Sequence, residues 1–304
     1  MKAAPRALLA RLADDETWLG RAMLAPAVGY IGLVIGIPFV LAVGYSFTNI
    51  SISSASWSFI GLANFSRAIA DPTFRRALGN TFFFALVSQS LVIVLASALA
   101  MALQRDFRGK WVVRLLVLLP WVAPVSLGSI GWLWIFDSIY SVINWTLRHV
   151  GLLGPREWPI WLGEPKLAMA AVIAVHVWRT LPLATVILLG GLSSIPQDIH
   201  DAADIDGASF WRHLFQITLP LVLPIQLVAL LFGFVFAFTD MIVVFVLTRG
   251  GPYDSTQVLA SLAFFKGVDG GDLGGGAATA LFLLPVLAAA AVLMLRLARR
   301  SEVV

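Results

Sequence analysis

Long apolar blocks alternate with short polar stretches along this chain. Six blocks stand out, at roughly residues 22–47, 80–103, 112–136, 167–192, 217–247 and 276–297. Each meets the requirement of about 20 apolar residues for a helix to cross the hydrocarbon of a bilayer. The pattern predicts an all-α polytopic membrane protein with six transmembrane helices. The fifth block is long enough to tilt strongly or to run beyond the bilayer. Prolines fall inside nearly every block: Pro38, Pro120, Pro124, Pro182, Pro220, Pro224 and Pro285. Membrane helices accept them as packing kinks because neighbours re-satisfy the freed carbonyls; the same kinks also read as hinges around a pathway.

Composition sharpens the class. Of 304 residues, 59% are hydrophobic and 12% charged, against about 45–50% and 25% in soluble domains. The absence of cysteine excludes disulfides, thiolate metal sites and cysteine nucleophiles. The net charge of +4 is scattered, so the basic residues read as topology signals and not as a nucleic-acid footprint. Twelve of them, including Arg105, Arg108, Lys110, Arg114, Arg296, Arg299 and Arg300, fall on the side that holds both termini, and eight on the other. That bias predicts both termini in the cytoplasm. Residues 1–21 then form a cytoplasmic segment, 22–298 the membrane domain and 299–304 a cytoplasmic tail. Asp14, Asp15 and Glu16 interrupt any secretory-signal pattern. Leu8, Leu9, Leu12 and Trp18 suit either an interfacial helix or a solvated tail. On the outer side, Trp145, Trp158 and Trp161 fit an interfacial belt, and the glycine-rich stretch from Arg249 to Gly275 is expected to be irregular.

One polar insert, residues 193–224, does not help a chain span lipid. Pro196 suits the opening of a helix, and Asp198 and Asp201 suit its first turns. Ala202 and Ala203 permit close approach by a partner. Gly207 supplies the positive φ that ends a helix. Ser209 can cap the next one, with Phe210, Trp211, Leu214 and Phe215 as its apolar face. The expectation is a short helix–turn–helix knob on the cytoplasmic surface.

Asp201-Ala202-Ala203-x-x-Asp206-Gly207-Ala208, followed by Phe215-x-Ile217-Thr218-Leu219-Pro220 and Pro224, closely resembles the EAA loop of membrane subunits of bacterial ATP-binding-cassette importers. The family's leading Glu is Asp201 here. Thr248-Arg249-Gly250-Gly251-Pro252 with Thr256 resembles the T-x-G-G-P…T segment of the carbohydrate-importer branch, as do Ala25-Pro26 and Gly61-Leu62-x-Asn64-Phe65. The resemblance implies a type I importer permease fold in a bacterial inner membrane. It also implies that Asp201, Ala202, Ala203, Asp206, Gly207 and Ala208, within a coupling loop at 196–224, meet the ATPase. The implied partners are a second homologous permease, two cytoplasmic ATPase subunits and an extracytoplasmic solute-binding protein. The implied solute is a carbohydrate; ATP and Mg belong to the ATPase, and no cofactor belongs to this chain.

The residues themselves agree with a non-catalytic chain. No G-x-x-x-x-G-K-[ST] loop is present, and Gly270–Gly276 lacks the lysine. His149, His176, His200 and His213 show no metal-ligand spacing. Inside the membrane the notable groups are Arg179 and Asp240. A central arginine costs about 2.5–3.5 kcal/mol on insertion scales, so it should face protein or water. Arg179 either pairs with a carboxylate or lines a solute route, and an Arg179–Asp240 pair is the natural hypothesis. Gln89, Phe236 and Thr239 join these two as solute-route candidates, since sugars need planar hydrogen-bonding groups and aromatic faces. Phe236 lies one turn before Asp240 and is expected to share its face. A permease for a polyamine or phosphate, and an ion-coupled carrier, are the alternatives.

Overall fold

The computed structural model describes residues 16–301 apart from Ala55; the expected interfacial segment around Leu8–Leu12 and the last residues of the tail lie outside it. Helices account for nearly all regular structure, and the described residues show one isolated bridge, between Thr48 and Phe59. Five helices are long and apolar enough to span a membrane: α1 (Thr17–Ser46), α3 (Pro72–Gln104), α7 (Pro165–Ser193), α9 (Phe210–Thr239) and α12 (Leu273–Arg300). The sixth span is a broken pair, α4 (Lys110–Val122) and α5 (Val125–Ile135), bent by 99°. Shorter helices are α2 (Ala63–Ala70), α6 (Val142–His149), α8 (Gln197–Ile205), α10 (Ile242–Leu247) and α11 (Leu259–Phe264).

Several boundaries differ from the apolar blocks. Helix α1 begins at Thr17, ahead of the apolar block. Helix α3 starts at Pro72 and not near Asn80, because Asp71 accepts the Thr73 N–H at 2.9 Å and proline suits the first helical position. The third block breaks where Pro124 forces Ala123 into an extended conformation (ψ 139°). The fifth block is not one continuous helix: α9 stops at Thr239, and α10 follows after Asp240. The 249–275 stretch is less irregular than expected, since it contains α11 and a π turn over Phe265–Asp269.

Prolines elsewhere bend the ladder without breaking it. Two π turns, Gly32–Gly36 and Leu214–Thr218, each lie two residues before a proline, Pro38 and Pro220. A widened turn there relieves the clash between the proline ring and the carbonyl four residues back.

The packed centre is α3 against α7, with α9 laid across both and α12 against α9. Its contacts are made by small residues, among them Ala77, Ala85, Ala96 and Ala100 on α3, all fully buried. Small side chains let membrane helices approach closely, where dispersion and not hydrophobic exclusion drives packing. Helix α1 stands apart: none of its most apolar stretch is buried. Its far end is tied off by Asn64, whose buried amide donates to the carbonyls of Ser46 (2.9 Å) and Thr48 (2.7 Å). That contact gives the Gly-Leu-x-Asn-Phe motif its physical reason.

Candidate functional site: an exposed knob and a buried polar cluster

The insert folds as a helix–turn–helix knob. Pro196 precedes α8, and Asp198 lies in its first turn, where the helix dipole favours negative charge. The C-terminus is a complete Schellman closure. The Ala208 N–H donates to Ala203 O (3.0 Å) and Gly207 N–H to Asp204 O (3.1 Å), with Gly207 at φ +67°. Ser209 precedes the next helix but makes no side-chain cap; the expected hydrogen bond is missing. Two histidines replace it as the tie between the helices. His200 Nδ1 lies 3.0 Å from His213 Nε2 with the rings stacked, and His213 Nδ1 lies 3.2 Å from Thr218 Oγ1.

Ala203 is buried against its own chain, so only Ala202 of the small pair remains open to a partner. Asp201 and Asp206 are exposed, and Asp201 accepts from Gln197 Nε2 at 3.0 Å. Around them Ile205 is 86% exposed, and Phe210, Trp211 and Phe215 form an exposed aromatic ladder. Leu214 is half-buried and drops out of that face.

The second site lies where α9 breaks. Asp240 is buried, and its Oδ2 is 2.6 Å from His176 Nδ1 and 3.6 Å from Arg179 Nη1. Its Oδ1 accepts the Val243 N–H at 3.2 Å, which starts α10 much as a capping residue would. His176 is fully buried, packs edge-on to Phe84, and carries its other nitrogen 3.5 Å from Gln89 Nε2. Arg179 keeps a fifth of its side chain exposed. Gln89–His176–Asp240–Arg179 is thus one chain of polar groups crossing α3, α7 and the α9–α10 break.

Three of the five solute-route candidates therefore meet, and two stand apart. Gln89 is only 2% exposed and lies beneath Gly233, where a β-carbon would overlap its amide. Phe236 packs against Trp121 of α4 at 5.4 Å, while Asp240 is engaged by His176 and Arg179. Thr239 is exposed and returns its hydroxyl to Val235 O. His176 was the residue sequence reasoning passed over. Its position three residues before Arg179 on the same helical face was the available signal. Among the described residues no group of three or more His, Asp and Glu could hold a metal ion.

On the opposite end of α7 from the knob, the Thr-x-Gly-Gly-Pro segment is self-tied. Thr256 Oγ1 reaches Thr248 Oγ1 and Gly251 O, each at 2.7 Å. A side chain at Gly250 would collide with Gln257. Asn80 Nδ2 donates to the carbonyls of Asp254, Ser255 and Gln257, and Arg76 to Tyr253 O. The loop is thereby held to the first turns of α3. Of the expected aromatic belt, Trp161 turns inward, donating to Asn144 Oδ1 at 2.8 Å; Trp145 and Trp158 stay exposed.

The chain is similar to known proteins along most of its length. Residues 93–303 match the family described as binding-protein-dependent transport system inner membrane component. The permease SmoG of the Agrobacterium fabrum sulfoquinovosyl glycerol transport system is 32% identical over 92% of this chain and 90% of its own length. The Thermococcus litoralis trehalose/maltose permease MalF is 32% identical over 96% and 97%. A chain of a bacterial ABC transporter involved in import of the acidic polysaccharide alginate superposes with a TM-score of 0.80. It covers 97% of this chain and 99% of that one, at 20% identity.

Proposed function

Because the chain belongs to the family of binding-protein-dependent transport system inner membrane components, a multi-pass inner-membrane family of transport subunits, we propose that it is the permease of an ATP-driven importer for a sugar or sugar derivative. The observation that carries this reading is the knob. A membrane chain exposes Ile205, Phe210, Trp211 and Phe215 beside Asp201, Ala202, Asp206 and Gly207 on a rigid two-helix support. Exposed aromatic and aliphatic anchors with a polar rim are what a protein partner buries. Here the partner is one of two cytoplasmic ATPase subunits, which hold ATP and Mg. The knob side, with both termini, faces the cytoplasm.

The remaining partners are a second homologous permease and an extracytoplasmic solute-binding protein. The names of relatives, for sulfoquinovosyl glycerol and for trehalose/maltose, support a carbohydrate as solute. The two breaks support an alternating-access mechanism. Helices α5 and α10, the outer parts of the two broken spans, pack against each other and against α7. They can move as a block about Ala123–Pro124 and Asp240–Met241 when the ATPase dimer closes on the knob. In this reading Arg179, Asp240, Thr239, Phe236 and Gln89 surround or support the midplane route.

The test is co-purification in mild detergent, wild type against Asp206→Lys with Gly207→Pro. The expected result is that an ATPase and a second permease co-elute with the wild type and that the variant loses the ATPase. Solute is then screened by ATPase stimulation with the binding protein added. A chain that elutes alone, and carries solute in proteoliposomes without ATP, overturns the proposal.

A further inference from the structure

The loop between α5 and α7 holds a cleft that the coupling and transport reading does not use. It has a volume of about 550 Å³ and is lined by Tyr140, Asn144, Trp145, Arg148, His149 and Trp158 among others. A cleft of this size lies within the range of small-ligand sites, about 300–1,000 Å³. It sits at the N-terminal end of α7, whereas the knob follows the C-terminal end. A 29-residue helix separates the two by roughly 43 Å, so they lie on opposite faces of the membrane.

The walls of the cleft are fixed before any ligand arrives. Asp137 Oδ1 accepts the N–H groups of Ile139 and Tyr140, at 2.9 and 2.7 Å. Ser141 caps α6 through the Asn144 N–H and donates to Ile135 O. Asn144, 1% exposed, stitches α6 to the facing strap through Pro159 O and the Trp161 indole. The Arg148 guanidinium lies 3.5 Å from the centre of the Trp158 ring and donates to Glu157 O at 3.0 Å. His149 lies against Trp145, with ring centres 3.8 Å apart and the planes tilted by 33°. Despite this order Tyr140 is 82% exposed, Trp145 61% and Trp158 52%. One polar group is left over: the Nε of Arg148 is buried without a hydrogen-bond partner.

A guanidinium held among open aromatic rings has a definite ligand chemistry, offered by its outer nitrogens and not by the covered Nε. A pyranose offers an apolar C–H face to a ring and an edge of oxygens to planar donors. An interfacial tryptophan anchor needs neither concavity nor an arginine locked in place. We propose that this cleft is a carbohydrate subsite on the outer mouth, engaging a pyranose ring through Tyr140, Trp145 and Trp158 and its oxygens through Arg148. The proposal rests on the importer reading for the identity of the outer face. It places a first sugar contact on the permease itself, before the midplane groups around Asp240.

The test uses the assembled transporter in nanodiscs, with an environment-sensitive fluorophore on Ile139→Cys in this otherwise cysteine-free chain. Maltose, trehalose and a uronic-acid disaccharide are titrated without binding protein or ATP. At least one is expected to give a saturable response. Trp158→Ala and Arg148→Ala should weaken it at least about tenfold, and Trp158→Tyr, which keeps a stacking face, should largely restore it. ATPase stimulation by binding protein and sugar, measured on the same variants, checks that assembly is intact. If stimulation occurs but no sugar gives a saturable signal, or the variants leave the signal unchanged, the subsite is refuted while the importer reading survives. Quenching of the fluorophore by brominated lipid also overturns it, in favour of a headgroup-level anchor. If the transporter lacks ATPase stimulation altogether, the importer reading is the one that fails.

Discussion

Replacing Asp240 with leucine removes the one carboxylate that answers both Arg179 and His176. At an effective dielectric of about 20, charges at the observed 3.6 Å attract by about 4–5 kcal/mol before desolvation is set against it. The penalty for stranding a partner is what a mutant reads, about 3–5 kcal/mol for a buried pair. With a shift of roughly 2–4 °C per kcal/mol, Asp240→Leu should lower the melting midpoint by about ten degrees. Arg179→Leu should cost less, because a fifth of that side chain already reaches a surface. The double variant should regain a large part of the loss, since neither charge is left alone; a coupling of about 1.5–3 kcal/mol is expected. Intrinsic tryptophan fluorescence is the assay, as the chain offers no cysteine to thiol dyes. A charge exchange, Asp240→Arg with Arg179→Asp, should fail to restore stability, because it would set a guanidinium against His176, now 2.6 Å from the carboxylate. Additive losses in the double variant, or full rescue by the exchange, would refute the three-residue cluster.

Gly207→Val places a β-branched residue at φ +67°, which costs about 1–2 kcal/mol at the end of α8; ATPase binding in the detergent pull-down should weaken while the permease still elutes as a single species. Gly233→Ala drives a methyl into the Gln89 amide and should destabilise by about 1–3 kcal/mol, a loss that Gln89→Ala in the same chain should partly relieve in the melting assay. Spin labels at the exposed Val122 and Leu127, flanking the α4–α5 corner, should report a larger change between nucleotide-free and ATP-trapped transporter than a pair flanking Asp240; equal changes would count against a softer α4–α5 corner.

Span positions were legible because an uninterrupted apolar block needs no tertiary information to be read. Which proline breaks a span was not. Pro124 and Pro182 look alike in sequence, yet α7 runs through Pro182, which is buried among neighbouring helices, and the chain turns 99° at the exposed Pro124. Packing around the freed carbonyl decides the outcome, and packing is not local. The start of α3 was readable from Asp71-Pro72 but is invisible to hydropathy. The knob's turn at Gly207 was readable because a positive-φ glycine after a short amphipathic run has few other uses. The polar cluster was half readable: Arg179 demanded a partner and Asp240 was available. His176 and Gln89 join it across 64 and 87 positions of sequence separation, where no spacing rule applies.

The two breaks are mechanically unequal. At Asp240–Met241 the chain is fastened to α7 by the buried His176 and Arg179 contacts, and opening that joint against α7 would strand buried polar groups at a cost of about 3–5 kcal/mol. At Ala123–Pro124 no side-chain hydrogen bond or ion pair among the described residues holds the corner, and Pro124 is exposed. A motion that turns α5 and α10 together must therefore carry the Asp240 joint along with α7 and take up most of its angle at the α4–α5 corner. Helix α7 also reaches the knob, with only Ser194 to Pro196 between its end and α8. In the proposed importer, a push on the knob would arrive at the helix that grips Asp240, and the cluster would keep the broken fifth span moving with that helix and not past it.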